Sequence, residues 1–118
     1  MNYIHGNSVV ERWRRMTLAE QIGNIGSEVS RTASAQDQNE GRFNNAFVRA
    51  LELFDLTLSD PRWRGRLWEI GRMREVFCDA VLGSAEYGSN LFDLQKYFDQ
   101  FAYATNNLKQ RHMSQYII

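Results

Sequence analysis

The chain has 118 residues, 43% of them hydrophobic and 13% aromatic, which fits one globular domain with its own core and excludes general disorder. Fourteen basic residues balance fourteen acidic ones, and the isoelectric point near 6.7 removes the broad positive field of a general nucleic-acid binder. A lone cysteine, Cys78, no basic start before an apolar stretch, and no run near the roughly 20 apolar residues of a membrane span point to the cytoplasm and away from the membrane.

Residues 1–15 admit two readings. Met16, followed at once by a capping box, looks like a natural start, which makes the preceding segment an upstream extension. Alternatively, Ser8-Val9-Val10-Glu11 caps a short helix carrying Trp13. The first predicted helix of the main domain starts at Thr17, because in Thr17-Leu18-Ala19-Glu20 each side chain can satisfy a free backbone N–H of the first turn. Leu18, Ile22, Ile25 and Val29 form its core face, and the small residues Gly23, Gly26, Ser27 and Ser30 let another helix approach closely. The polar stretch 32–41 ends this helix and connects it to the next.

The second predicted helix runs from about Arg42 to Leu58, with Phe43, Phe47, Ala50 or Leu51, Phe54 and Leu58 on one stripe. The third follows with hardly any connection: Asp60 is its N-cap, Pro61 its first residue and Gly83 its stop. At about 100° per residue, Trp63, Leu67, Ile70, Phe77 and Val81 share one face with Arg74 among them. Arg74 is therefore expected in a buried ion pair, with Asp55 as partner and Glu20 and Glu28 as other candidates, and Arg74→Ala is expected to destabilise more than Arg62→Ala. Ser89 or Asn90 caps the fourth predicted helix, whose apolar positions are Leu91, Leu94, Phe98, Phe101, Thr105 and Leu108.

The sustained helical periodicity predicts an all-α fold. The expected architecture is an antiparallel up-and-down four-helix bundle over residues 16–110, with a short extra N-terminal helix or tail over 1–15 and a C-terminal tail over 111–118.

No residue set has the spacing of a catalytic site, so the expectation is a non-enzymatic protein without a cofactor. His5 and His112 lie in opposite tails outside any Glu-x-x-His pair, which argues against a metal site, and Cys78 reads as a small hydrophobe. The segment Ser59-Asp60-Pro61-Arg62-Trp63-Arg64-Gly65-Arg66-Leu67-Trp68 looks like a contact surface. Arg62, Arg64 and Arg66 read first as a solvated helix start, since Glu69 and Glu75 dilute the field, and second as phosphate ligands.

Opposite the buried face, Trp68, Arg72 and Val76 form an i, i+4, i+8 stripe, and Phe92 and Tyr103 project away from the main seam. A bundle helix needs one apolar stripe, so this second face predicts a homodimer and a protein partner; the competing expectation is that a terminal tail covers it.

Met16-Thr17-Leu18-Ala19-Glu20-Gln21-Ile22 and Ser59 to Leu67 resemble segments of a small family of uncharacterised prokaryotic all-helical proteins, over about residues 16–108. More loosely, the four-helix layout is similar to HEPN-type domains. That resemblance implies RNA or nucleotide binding beside a nucleotidyltransferase-type partner, with Arg62, Arg66 and Arg72 on phosphate. The HEPN catalytic signature, an arginine four to six residues before a histidine, is missing: Arg111 and His112 are adjacent.

Overall fold

A computed structural model describes residues 6–83 and, beyond them, Leu91, 94–96 and Phe98. Its elements are α1 (Gly6–Arg15), α2 (Leu18–Ala35), α3 (Glu40–Leu58), a 3₁₀ segment (Pro61–Arg66) and α4 (Leu67–Leu82). Among the described residues there is no strand, and no helix is long and apolar enough to cross a membrane.

Gly6–Arg15 is helical, and it contributes to the core. Trp13 is 5% exposed, and its indole N–H donates to Thr57 Oγ1 at 3.0 Å. Trp13 consequently fills the core and does not cover the outer face of α4.

At the start of α2 the capping box forms in full. Glu20 N–H donates to Thr17 Oγ1 at 3.1 Å, and Thr17 N–H donates to Glu20 Oε1 at 3.2 Å. Ile22, Ile25 and Val29 are buried, while Leu18 packs only partly against them. Asp37, at φ 61, turns the chain, and Asn39 caps α3 by accepting from Arg42 N–H at 3.0 Å, so α3 begins slightly earlier than the periodicity implied. Gln21 near the start of α2 lies 3.3 Å from Asp60 just past the end of α3, which brings these two helix ends together. Ala50 and Phe54 carry α3 into the core, with Phe43, Phe47, Leu51 and Leu58 packed partly against it.

The junction after α3 differs from the continuous helix expected. Asp60 caps and Pro61 opens the segment, but Trp63 leaves helical geometry at φ −103, ψ 22, and the α-helix proper begins at Leu67. A 3₁₀ turn advances about 120° per residue against about 100° in an α-helix, so a projection carried through Trp63 loses phase. The inward face of α4 is Ile70, Met73 and Phe77; Leu67 is 41% exposed, and Met73 occupies the core where Arg74 was expected.

Of the fourth predicted helix, Leu91, 94–96 and Phe98 are helical, and Leu91, Leu94 and Phe98 are buried. Its cap at residue 89 or 90, its positions Phe101, Thr105 and Leu108, and the tail 111–118 lie outside the described residues, as do Phe92, Tyr103, His5 and His112. The helix meets α2 at its small residues. A Cβ built on Gly26 would sit 3.2 Å from Phe98 Cβ, and Gln95 Nε2 donates to Ser30 Oγ at 3.1 Å. Gly26→Leu should therefore lower stability by about 1–3 kcal/mol through overpacking. Gly23, with nothing within 4 Å of a built Cβ, should gain about 0.5–1 kcal/mol as alanine. Urea melts that move both variants the same way would contradict this packing.

Candidate functional site

A polar cluster joins four segments around Asp60, which is 1% exposed. Arg62 returns over its own cap, donating from Nε to Asp60 Oδ1 at 3.1 Å and from an Nη to Oδ2 at 2.7 Å, and that same Nη reaches the Met16 carbonyl at 2.8 Å. Gln21, fully buried, donates to the Trp13 carbonyl at 2.8 Å and accepts from the Trp63 indole at 2.9 Å. The guanidinium also stacks 4.5 Å above the Trp63 ring centroid. The Arg62 hydrogen bond is the main reason the Asp60 carboxyl lies below its ordinary value; burial opposes the shift, and the Arg62 backbone N–H and Gln21 add to it. Every described buried side-chain polar atom has a hydrogen-bond partner, and this cluster ties α1, α2 and the 3₁₀ segment together.

The three arginines of the 3₁₀ segment thus have separate circumstances. Arg62 is held by Asp60, Arg66 pairs with Glu69 at 2.9 Å, and Arg64 is exposed. Arg74 does pair with Asp55, at 3.1 Å, but the side chains are 34% and 39% exposed, so the buried ion pair expected from the sequence is a half-exposed one. Glu20 is engaged by Thr17 and Glu28 by Arg31. Cys78 is half-buried, and burial raises its thiol pKa above the ordinary value, with Arg74 opposing and Asp55 adding to the shift. No cluster of three or more His, Cys, Asp or Glu suited to a metal occurs among the described residues.

On the outer face of α4, Trp68 is 78% exposed and Arg72 is exposed, whereas Val76 packs partly against the core. The expected stripe therefore starts in solvent and runs inward. Leu82, about 40° from Trp68 around the helix, is 73% exposed, while Asp79, about 20° to the other side of Trp68, is buried.

Sequence reasoning missed a second surface. Arg42, Asn45 and Arg49 line one side of α3 at i, i+3, i+7, and across from them on α2 stand Glu28, Arg31 and Ser34, bounding an open groove of about 740 Å³. A neighbouring hollow of about 310 Å³ toward α1 shares Glu28, Arg31 and Arg49 and adds Arg12. The signal was the seven-residue spacing of Arg42 and Arg49, but Arg31 belongs to another helix, and only the α2–α3 packing brings it alongside. Compared with known proteins, the chain matches no family model, no curated protein and no solved structure.

Proposed function

We propose that the protein is a non-enzymatic, cytoplasmic interaction module: an antiparallel up-and-down four-helix bundle that self-associates, and binds a protein partner, through the outer face of α4. One observation carries this reading. Trp68 exposes 78% of its surface on a helix whose opposite face already fills the core, so the indole adds nothing to the fold and costs solubility unless something covers it. Leu67 and Leu82 extend the apolar surface, and Arg72 beside the indole supplies the charge common at interface anchors. Phe92 and Tyr103, the other residues expected on this face, lie outside the described residues.

A twofold contact is self-complementary, so a change at Trp68 acts twice. Trp68→Glu is expected to shift the population to monomer while the helical circular-dichroism signal stays intact. Sedimentation at several concentrations checks this. An unmodified protein that stays monomeric at roughly 100 μM, well above the dissociation constant of an ordinary stable interface, would refute self-association.

The second reading, a HEPN-like RNA- or nucleotide-binding domain, drew on Arg62, Arg66 and Arg72. It has less to work with when Arg62 is committed to Asp60 and Arg66 to Glu69. Binding to RNA that weakens steeply with salt would favour it.

A further inference from the structure

We infer that the C-terminal end of α1 and the 3₁₀ segment together form a cationic surface that binds an acidic segment of a partner protein, with Arg12, Arg14, Arg15 and Arg64 as its carboxylate-binding groups. The sequence carries Arg-Trp-Arg twice, at Arg12-Trp13-Arg14 and at Arg62-Trp63-Arg64. The fold sets the two copies side by side around Gln21, which donates to the Trp13 carbonyl at 2.8 Å and accepts from the Trp63 indole at 2.9 Å. Their flanks reach across as well. Arg14 donates to the Ser59 carbonyl at 3.4 Å, and Arg62 donates to the Met16 carbonyl at 2.8 Å. Because Trp13 turns fully and Trp63 partly inward, the arginines around them are left outside, and Arg12, Arg14, Arg15 and Arg64 are all exposed.

These four charges are not cancelled within the fold. Asp60 takes up Arg62 and Glu69 takes up Arg66, but among the described residues Arg12, Arg15 and Arg64 have no hydrogen bond or ion pair, and Arg14 meets only a carbonyl. Glu11 is the only acidic residue of α1, and Glu20 is held by its own capping box. The dipole of α1 favours the arginines of its last turn, whereas Arg64 stands just ahead of α4, where the dipole disfavours a cation. Folding alone gives Arg64 no reason to be basic. The chain as a whole is neutral, so the surplus is a local polarity and not general basicity.

Every cation here is an arginine, whose planar fork matches a carboxylate in bidentate pairs. Two other anionic surfaces suit it less. Single-stranded nucleic acid is held on exposed aromatic platforms, but Trp13 is 5% exposed and the Trp63 ring is already stacked on Arg62. A helix lying on a membrane needs its apolar face free, and Val9, Val10 and Trp13 of α1 are packed into the core.

The surface does not include Trp68, so its test is separate from that of self-association. The full chain is titrated into a fluorescently labelled oligoglutamate peptide at low salt, with anisotropy as the readout, and separately into a single-stranded RNA oligonucleotide and into vesicles of phosphatidylserine and phosphatidylcholine. The peptide is expected to bind, and less tightly as salt rises. Arg15→Gln and Arg64→Gln are each expected to weaken it about threefold, within the range of one exposed ion pair, and together about tenfold. Arg42→Gln, an equal loss of charge from α3, should leave it unchanged. Arg15 and Arg64 are exposed on separate segments, so both variants should melt as the unmodified protein does. No peptide binding, equal weakening by Arg42→Gln, weakening that tracks a lowered melting temperature, or binding of the RNA or the vesicles alone would overturn the inference.

Discussion

Replacing Phe77 with alanine is expected to cost about 3–5 kcal/mol of stability, the range for truncating a buried phenylalanine. Phe77 is fully buried, with its ring centroid 5.5 Å from Phe47 and 6.0 Å from Phe54, and Phe54 in turn meets Phe98 edge-on at 6.4 Å. This row of rings joins α3, α4 and the helical residues around Phe98. Removing one ring forfeits its burial and leaves a cavity that the neighbouring aromatics, held by their own contacts, cannot fill. For a domain of this size the loss is a large share of the whole stability, commonly about 5–15 kcal/mol. Trp68→Ala, a truncation at least as large on the same helix, should change stability by less than about 0.5 kcal/mol under monomeric conditions because its surroundings are solvent. Urea melts at low protein concentration compare the two; similar midpoints would contradict the assigned faces of α4.

The second large effect is at Asp60. Asp60→Ala removes the cap on Arg62 N–H, one partner of buried Gln21 and the carboxylate contacts of Arg62 Nε and Nη, for an expected loss of about 2–4 kcal/mol. The 40% exposure of Arg62 limits the cost, since the released guanidinium can turn to water. Because the folded state lowers the Asp60 pKa, its contribution is fully present above the unfolded value near about 3.9, and is lost as pH falls below that value through the folded one. The protein should therefore lose stability on acidification in that range. Asp60→Asn, which keeps a good cap but no charge, should be less damaging than alanine and should flatten the acid limb. An unchanged pH profile in the asparagine variant would mean that Asp60 is not the titrating group. In the same experiments Arg62→Ala should destabilise more than Arg74→Ala, the reverse of the order implied by the helical projection, because Arg62 serves a buried carboxylate and Arg74 a half-exposed one.

The amino-acid pattern alone determined that the chain is helical over most of 18–82 and which side chains cap two of its segments. Thr17 with Glu20, and Asp60 before Pro61, are local signals whose partners lie within three residues, and they form as read. The apolar spacing of Ile22, Ile25 and Val29, of Ala50 and Phe54, and of Ile70 and Phe77 gave their inward faces, because burial follows the helical period when a helix stays regular. Gly26 and Ser30 likewise mark a close approach, which Phe98 and Gln95 supply.

Tertiary structure decided the rest. Trp13 binds Thr57, 44 residues away, and Trp63 binds Gln21 across 42, so nothing local distinguished a core tryptophan from an interface one. Those long-range hydrogen bonds accompany the departure of Trp63 from helical geometry, and with it the phase of everything projected through the 3₁₀ turn. Arg62 looked available for phosphate because its partner, two residues back, was read only as a cap. Arg31, Arg42 and Arg49 looked scattered because charge along a chain says nothing of which helix faces which. Propensity and periodicity act over one turn of helix, whereas a polar network or a charged groove exists only once separate helices have been brought together by their apolar faces.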